Sequence, residues 1–331
     1  MRFYQGKEVL VTGAGGFIGS HLTEELVKLG AKVRVFLRYN SQNRQGFIGC
    51  LPKDIRGSLD VFWGDLKDPQ AVAKATSGIS IVFHLGALIG IPYSYLNPLD
   101  VVQTNVVGTA NILNACKDHQ VEKLIHTSSS EVYGTAQYTP INEAHPLQGQ
   151  SPYSATKIAT DKLAESYYRS FALPVTILRP FNTYGPRQSA RAIIPTIITQ
   201  ALTGKKVKLG SLQPTRDFTY ISDTIQGFLR LGECNHAMGQ TINLGSGHET
   251  SIEDLVRRIS SILKKDVEIK CEPGRVRPKE SEVERLVCDN SKAKQILHWE
   301  PKVALDEGLT KTIRWISKNL DHFENIGRYA V

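Results

Sequence analysis

"VLVTGAGGFIGSHL", Val9 to Leu22, runs an apolar strand into a glycine-rich turn and then into a helical pattern. Gly13, Gly16 and Gly19 are spaced G-x-x-G-x-x-G, with the helix expected to begin near Phe17. In such a turn the first glycine allows the tight bend and the second lets the backbone approach a pyrophosphate. The third permits close helix–strand packing, and the helix N-terminus attracts the negative charge. A lone glycine pattern also fits an ordinary strand-to-helix turn. Here it stands at the first strand of an alternating series, and that position turns the reading toward dinucleotide binding.

Outward from this turn, short β-rich runs alternate with helix-length segments: "EVLVTG", "KVRVFL", "LDVFWGD", "ISIVFHLG", "KLIHTSS" and "PVTILRP". Strands alternating with helices predict a parallel sheet covered on both faces, an α/β fold of the Rossmann-like, doubly wound kind. The second half is less regular. It mixes the helical stretches "RAIIPTIITQALTG", "SDTIQGFLRLGE", "SIEDLVRRISSILKK" and "ALDEGLTKTIRWISKNL" with the short strands "TINLG" and "VEIKC", which predicts a smaller, mixed α/β C-terminal domain. The boundary falls near residue 180, with the chain returning to the first domain around residues 218–246.

A chain of 331 residues, 41% hydrophobic and 22% charged, has the composition of a soluble globular protein with a large core. The net charge of +8 is scattered, and the densest basic cluster, "VRRISSILKK", reads as a solvated helix face. An anionic small substrate accounts for the excess without nucleic acid. The five cysteines, Cys50, Cys116, Cys234, Cys271 and Cys288, lack any C-x-x-C pair, so neither a disulfide framework nor a metal site is expected. They read as buried thiols in a reducing compartment. The apolar run of "MRFYQGKEVLVTGAGG" is broken by glycine too early for a signal peptide or a membrane span. A cytoplasmic protein is expected, without membrane partners.

The tip of the second strand bears on which dinucleotide binds. An NAD site usually offers an acidic residue to the ribose hydroxyls. Here the strand runs into "VFLRYNSQNRQG", with Arg38 and then Arg44 in place of a carboxylate. Arginine pairs with a 2′-phosphate, so the cofactor reads as NAD(P), leaning to NADP. Asp65 in "WGDLKD" is in position to meet the adenine amino group or to cap the next helix. In "SPYSATK", Tyr153 and Lys157 lie four residues apart on one helix face. A lysine one turn from a tyrosine favours the phenolate and a positive nicotinamide ring adds to that effect, so Tyr153 is a candidate base near neutral pH. A hydroxyl run, Ser128 to Ser130, follows the strand "KLIH" and is closed by Glu131.

Together these motifs resemble the extended short-chain dehydrogenase/reductase family. "TGAGGFIG", "GDL", "HLGA", "TNVVGT", "TSSSEVYG", "YSATK", "LRPFNTYGP" and "RDFTYISD" occur in the family's usual order across nearly the whole chain. The resemblance implies an enzyme acting on a nucleotide-linked sugar. Residues 1–180 would hold the dinucleotide, and residues 181–331 would mainly hold the sugar nucleotide. It implies that Ser129 hydrogen-bonds the sugar O4, that Tyr153 is the base and that Lys157 is its partner. It places Phe17, Ile18, Leu66, Leu85 and Ala87 along the cofactor, with Gly13, Gly16, Gly19, Arg38 and Asp65. Asn105 matches a residue that supports the site, and Asn182, Arg187, Arg216 and Arg277 match substrate-binding positions.

Within the family, "SSE" at Ser129, Ser130 and Glu131 resembles the dehydratases, and the chain is most similar to the 4,6-dehydratases of legionaminic-acid biosynthesis. Many dehydratases have Asp at the position of Ser130, so Ser130 is expected to position water or the leaving hydroxyl while Glu131 moves protons. The implied reaction oxidises C4 of a UDP- or GDP-linked N-acetylglucosamine, eliminates water across C5 and C6, and returns the hydride to C6. UDP-glucuronate decarboxylation, a 5,6-dehydratase, 4-epimerisation and a non-catalytic nucleotide-binding regulator are the alternatives. The long helical patterns "PLDVVQTNVVGTANILNACKDH" and "SPYSATKIATDKLAESYYRSF" imply, by the same resemblance, a homodimer through a four-helix bundle.

Overall fold

The computed structural model describes residues 3–323. Its strands are β1 (Glu8–Thr12), β2 (Lys32–Arg38), β3 (Asp60–Gly64), β4 (Ile81–His84), β5 (Lys123–Thr127) and β6 (Val175–Pro180). They continue as β7 (Asn182–Tyr184), β8 (Lys206–Leu209), β9 (Thr215–Tyr220), β10 (Thr241–Leu244), β11 (Glu249–Ser251) and β12 (Glu268–Cys271). Seven of them form one sheet in the order β3-β2-β1-β4-β5-β6-β10, every pair parallel. β1 shows why the central strands read as unbroken apolar runs. Val9 and Val11 face a core layer containing Leu22 and Leu26 of helix Phe17–Lys28 and Phe228 of helix Ile221–Glu233. Leu10 faces the opposite layer, with Val72, Ile112 and Ala164 from helices Pro69–Thr76, Gly108–Asp118 and Pro152–Phe171. Alternate residues of one strand thus enter two cores, and both must be apolar.

The chain leaves the large sheet after β6 and comes back to its edge as β10. Between and after these strands lie a three-stranded sheet, β11-β9-β7, and a parallel pair, β12-β8. Helix Ile252–Leu263 buries Ile252, Leu255, Val256 and Ile259, the 3.6-residue stripe of a helix lying on a core. The expected long helix at 98–118 is continuous but contains a π turn, Gln103–Val107, between α-helical Pro98–Val102 and Gly108–Asp118. The expectation of five buried thiols is corrected. Only Cys116 and Cys288 are buried, while Cys50 and Cys271 are exposed and Cys234 is intermediate. Cys50 ends a short 3₁₀ turn and Cys271 ends β12 of the two-stranded pair.

Candidate active site

The glycine turn lies where the strand order reverses, between β1 and its neighbours β2 and β4, the crevice in which doubly wound sheets bind ligands. Gly13 has φ +71°, and a Cβ there would stand 2.8 Å from the backbone of Leu85 and Gly86. A Cβ on Gly19 would collide with the Gly13 carbonyl, so both positions exclude side chains for steric reasons. Helix Phe17–Lys28 starts at Gly16 with no side-chain cap, leaving its first N–H groups to an incoming anion. The cleft beside it, about 290 Å³, is lined by Gly13, Gly16, Arg38, Arg44, Asp65, Leu66 and Ala87. Glycine cradle, bare helix end and paired arginines fit a dinucleotide.

Within this cleft the expectations separate. The side chains of Phe17, Ile18 and Leu85 beside the turn are half-buried and pack against the core. Asp65 Oδ1 accepts from Lys67 N at 2.9 Å, and the following helix is capped instead by Asp68, which accepts from Gln70 N and Ala71 N. Asp65 therefore remains on the cleft wall. Arg38 is exposed at the end of β2, and Asn40 bonds the Arg44 backbone through both its amide atoms, 2.8 and 2.9 Å, closing the loop that carries the two arginines.

The second half of the site begins where β5 ends at Thr127. Ser129 has extended backbone and caps the turn Ser130–Tyr133, its Oγ accepting from Glu131 N at 3.2 Å. Ser130 is buried, while Ser129 and Glu131 stay partly open. Helix Pro152–Phe171 faces this turn. Its start is fixed by Pro152 at the first position and by a capping box between Ser151 and Ser154. Tyr153 and Lys157 are both buried, 7% and 4% exposed, and Lys157 Nζ donates to Thr127 O at 2.6 Å.

Burial governs both groups. It pushes the Tyr153 phenol up to about 12, opposed by the Ser129 hydroxyl beside it and reinforced by the charges of Glu131 and Asp161. It lowers the Lys157 ammonium to about 8, against the attraction of Asp161. In the protein by itself desolvation is the largest influence on the phenol and keeps it protonated near neutral pH.

Asn105 does not open to a substrate. Its Oδ1 accepts from Leu88 N at 2.8 Å, and its Nδ2 donates to Leu88 O and Thr156 Oγ1, both at 3.0 Å. It ties the cleft wall to the tyrosine helix. Arg187, at φ +65°, pairs with Glu24 of the glycine-turn helix at 2.5 Å. Asn182 Oδ1, on β7, is buried with no partner. Arg216 and Arg277 do come together with Glu131: Arg277 Nη1 is 3.9 Å from Glu131 Oε2, and the charge of Glu131 also acts on Arg216.

Two contributors escaped the sequence reading. Asp161, one turn beyond Lys157, is held by Arg179 at 2.8 Å and lies 3.5 Å from His126, all three buried. Its signal was present in the Tyr-x₃-Lys-x₃-Asp spacing, which keeps it on the same helix face. Glu282 lies 3.3 Å from Arg216 and 3.8 Å from Arg277. In "PKESEVER" it looks like any solvated charge run, and only folding sets it against the arginines. Among the described residues no group of three or more His, Cys, Asp or Glu could hold a metal, and no helix is long and apolar enough to cross a membrane.

The family described as GDP-mannose 4,6 dehydratase matches residues 10–312. The chain belongs to this family. It is an extended short-chain dehydrogenase/reductase, with the seven-stranded parallel Rossmann-like sheet found in its structural neighbours. An uncharacterized UDP-glucose epimerase of Bacillus subtilis is 33% identical over 94% of this chain and 98% of its own. UDP-glucuronic acid decarboxylase 1 of Xenopus tropicalis is 31% identical over 96% of this chain and 74% of its own. The dTDP-glucose 4,6-dehydratase DesIV of Streptomyces venezuelae, solved with NAD bound, superimposes with a TM-score of 0.85 at 27% identity, covering 96% of this chain and 99% of its own. Proteins named for epimerisation, decarboxylation and dehydration thus all resemble this chain, and the reaction must be argued from the site.

Proposed function

We propose that the protein is a sugar-nucleotide 4,6-dehydratase, taking a UDP- or GDP-linked N-acetylglucosamine to the 4-keto-6-deoxy product, as in the legionaminic-acid group. The observation that carries this reading is Glu131, a carboxylate two residues after Ser129 on the same turn, 3.9 Å from Arg277 and with its charge acting on both Tyr153 and Arg216. Ser129 holds the sugar O4, and Tyr153 removes the C4 hydroxyl proton. The bound nicotinamide dinucleotide supplies the acceptor of the C4 hydride and, later, its donor to C6. Once C4 is a ketone the C5 proton is acidic; Glu131 takes it and passes it to the C6 hydroxyl, which leaves as water, and a solvent-derived proton returns to C5 when hydride is delivered to C6. Buried Ser130 supports the turn that aims Glu131. Arg216, Arg277 and Asn182 receive the diphosphate and nucleoside.

A second reading has one specific support. Arg277 beside Glu131 would also suit the carboxylate of a UDP-glucuronate, which a decarboxylase loses as carbon dioxide. Incubating the purified protein separately with UDP-N-acetylglucosamine, GDP-N-acetylglucosamine and UDP-glucuronate, and following the products by mass and by proton NMR, decides between them. Loss of water from an N-acetylglucosamine nucleotide is expected; loss of carbon dioxide from the uronate, or isomerisation without mass change, overturns the dehydratase reading. For the cofactor, Arg38 and Arg44 on the cleft wall, with no carboxylate at the β2 tip, favour NADP, although the Streptomyces dehydratase was solved with NAD.

We also propose a homodimer. Leu99, Val102 and Val107 of the 98–118 helix and Tyr168 and Phe171 of helix Pro152–Phe171 are exposed apolar side chains on two adjacent helices. A second copy presenting the same pair of helices would cover them.

A further inference from the structure

Arg277 Nη1 is buried and makes no hydrogen bond, although carboxylates of Glu131 and Glu282 stand 3.9 and 3.8 Å from it. Arg216, itself 6% exposed, has its Nη2 3.3 Å from the same Glu282 oxygen, Oε1, and its Nη1 on Thr215 O at 2.9 Å. One carboxylate oxygen thus serves two guanidinium groups, at distances too long for the short, bidentate pairing that arginine makes with a well-matched anion. Glu282 is held in place by its backbone: its carbonyl accepts from Thr135 Oγ1 at 3.3 Å and from Gln150 Nε2 at 3.4 Å. The side chain, 19% exposed, makes ion pairs with these two arginines. A site with two partly buried arginines and no counter-charge would carry a large desolvation cost. A site whose counter-charge bonded them tightly would refuse another anion.

We propose that Glu282 is a positioning residue that holds Arg216 and Arg277 as a loosely bound stand-in for the substrate's diphosphate and is displaced by it. The inference rests on the reading of Arg216 and Arg277 as the diphosphate site. A diphosphate brings more charge and more acceptor oxygens than one carboxylate, so it satisfies both guanidinium groups where Glu282 satisfies neither fully. The stand-in keeps the arginines oriented between turnovers, and it weakens the grip on the released nucleotide product because carboxylate and diphosphate compete for the same donors.

Glu282→Gln tests this, with binding of UDP and GDP to the cofactor-loaded protein measured by calorimetry alongside the bare nucleosides, uridine and guanosine. Removing the competing charge is expected to tighten whichever diphosphate binds the parent by about tenfold at low salt, with the gain shrinking as salt rises. Nucleoside affinity should stay unchanged, since a merely structural defect would weaken both. Glu282→Asp, which keeps the charge on a shorter arm, should return diphosphate affinity toward the parent value. Weaker or unchanged diphosphate binding by a folded Glu282→Gln protein overturns the proposal for Glu282 while leaving the diphosphate site standing. If Glu282→Gln fails to fold, an Asp variant that binds diphosphate as the parent does while Glu282→Ser binds it no tighter also overturns it. Failure of the parent to bind either diphosphate overturns the site reading, and this proposal with it.

Discussion

At Glu131 a carboxylate stands beside a cation, Arg277, and its charge reaches the Tyr153 phenol. Glu131→Gln keeps size and hydrogen bonding but removes the base. Oxidation at C4 should survive while elimination falls by roughly 10²–10⁴. Mixing substrate with the variant should then build up near-ultraviolet absorbance from reduced nicotinamide, and undiminished water loss would remove Glu131 from the mechanism. Lys157 carries a different prediction. Burial holds it near 8 in the folded protein, below its ordinary 10.5, so between these values the unfolded chain binds the proton and the folded protein does not. Stability therefore gains from this site as pH rises through that window, by up to about 3 kcal/mol. Urea unfolding of the parent and of Lys157→Met between pH 8 and 10 should show the parent gaining on the variant. Parallel curves would mean that Lys157 titrates normally.

Among the elements, the π turn Gln103–Val107 interrupts an otherwise α-helical run at Asn105, the residue whose amide clamps Leu88 to Thr156. π turns of this kind re-aim side chains without ending the helix, and they recur at functional sites. Leu88 lines the dinucleotide cleft, and Thr156 in turn donates to the Tyr153 carbonyl at 2.6 Å, so one side chain registers the cleft wall against the tyrosine helix. Asn105→Leu leaves the Leu88 N–H and C=O and the Thr156 hydroxyl without this partner. Unfolding free energy should drop by roughly 2 kcal/mol, and dinucleotide retention on gel filtration should fall with it. A variant as stable as the parent and still carrying its cofactor would show that the clamp is dispensable.

For the whole molecule, the proposed dimer places the exposed apolar side chains of the two adjacent helices at its interface. Leu99 is 76% and Phe171 54% exposed. Single exposed leucines are ordinary, but five large exposed apolar side chains on two neighbouring helices suit an interface. Sedimentation should give twice the chain mass, and Leu99→Arg together with Val102→Glu should return it to one. A parent that sediments as a monomer at micromolar concentration would end the dimer proposal.

The glycine turn, the alternating strands and the Tyr153–Lys157 pair were legible in the linear chain, because each is a local rule. A turn that excludes Cβ atoms needs glycine, a strand buried on both faces needs an apolar run, and two side chains four apart share a helix face. Ser129 and Glu131 were legible for the related reason that they stand at the end of a recognisable strand. Folding alone decided what the charges meet. Arg187, expected with the substrate, pairs with Glu24, 163 residues away, and Asn105 is consumed by backbone bonds. Glu282, unremarkable in a charged stretch, is set against Arg216, 66 residues away. Hydrophobic period and turn chemistry act over a few neighbouring residues and are written in order along the chain. Ion pairing and desolvation depend on distance in space and on burial, and these exist only once the strands have taken their places in the sheet.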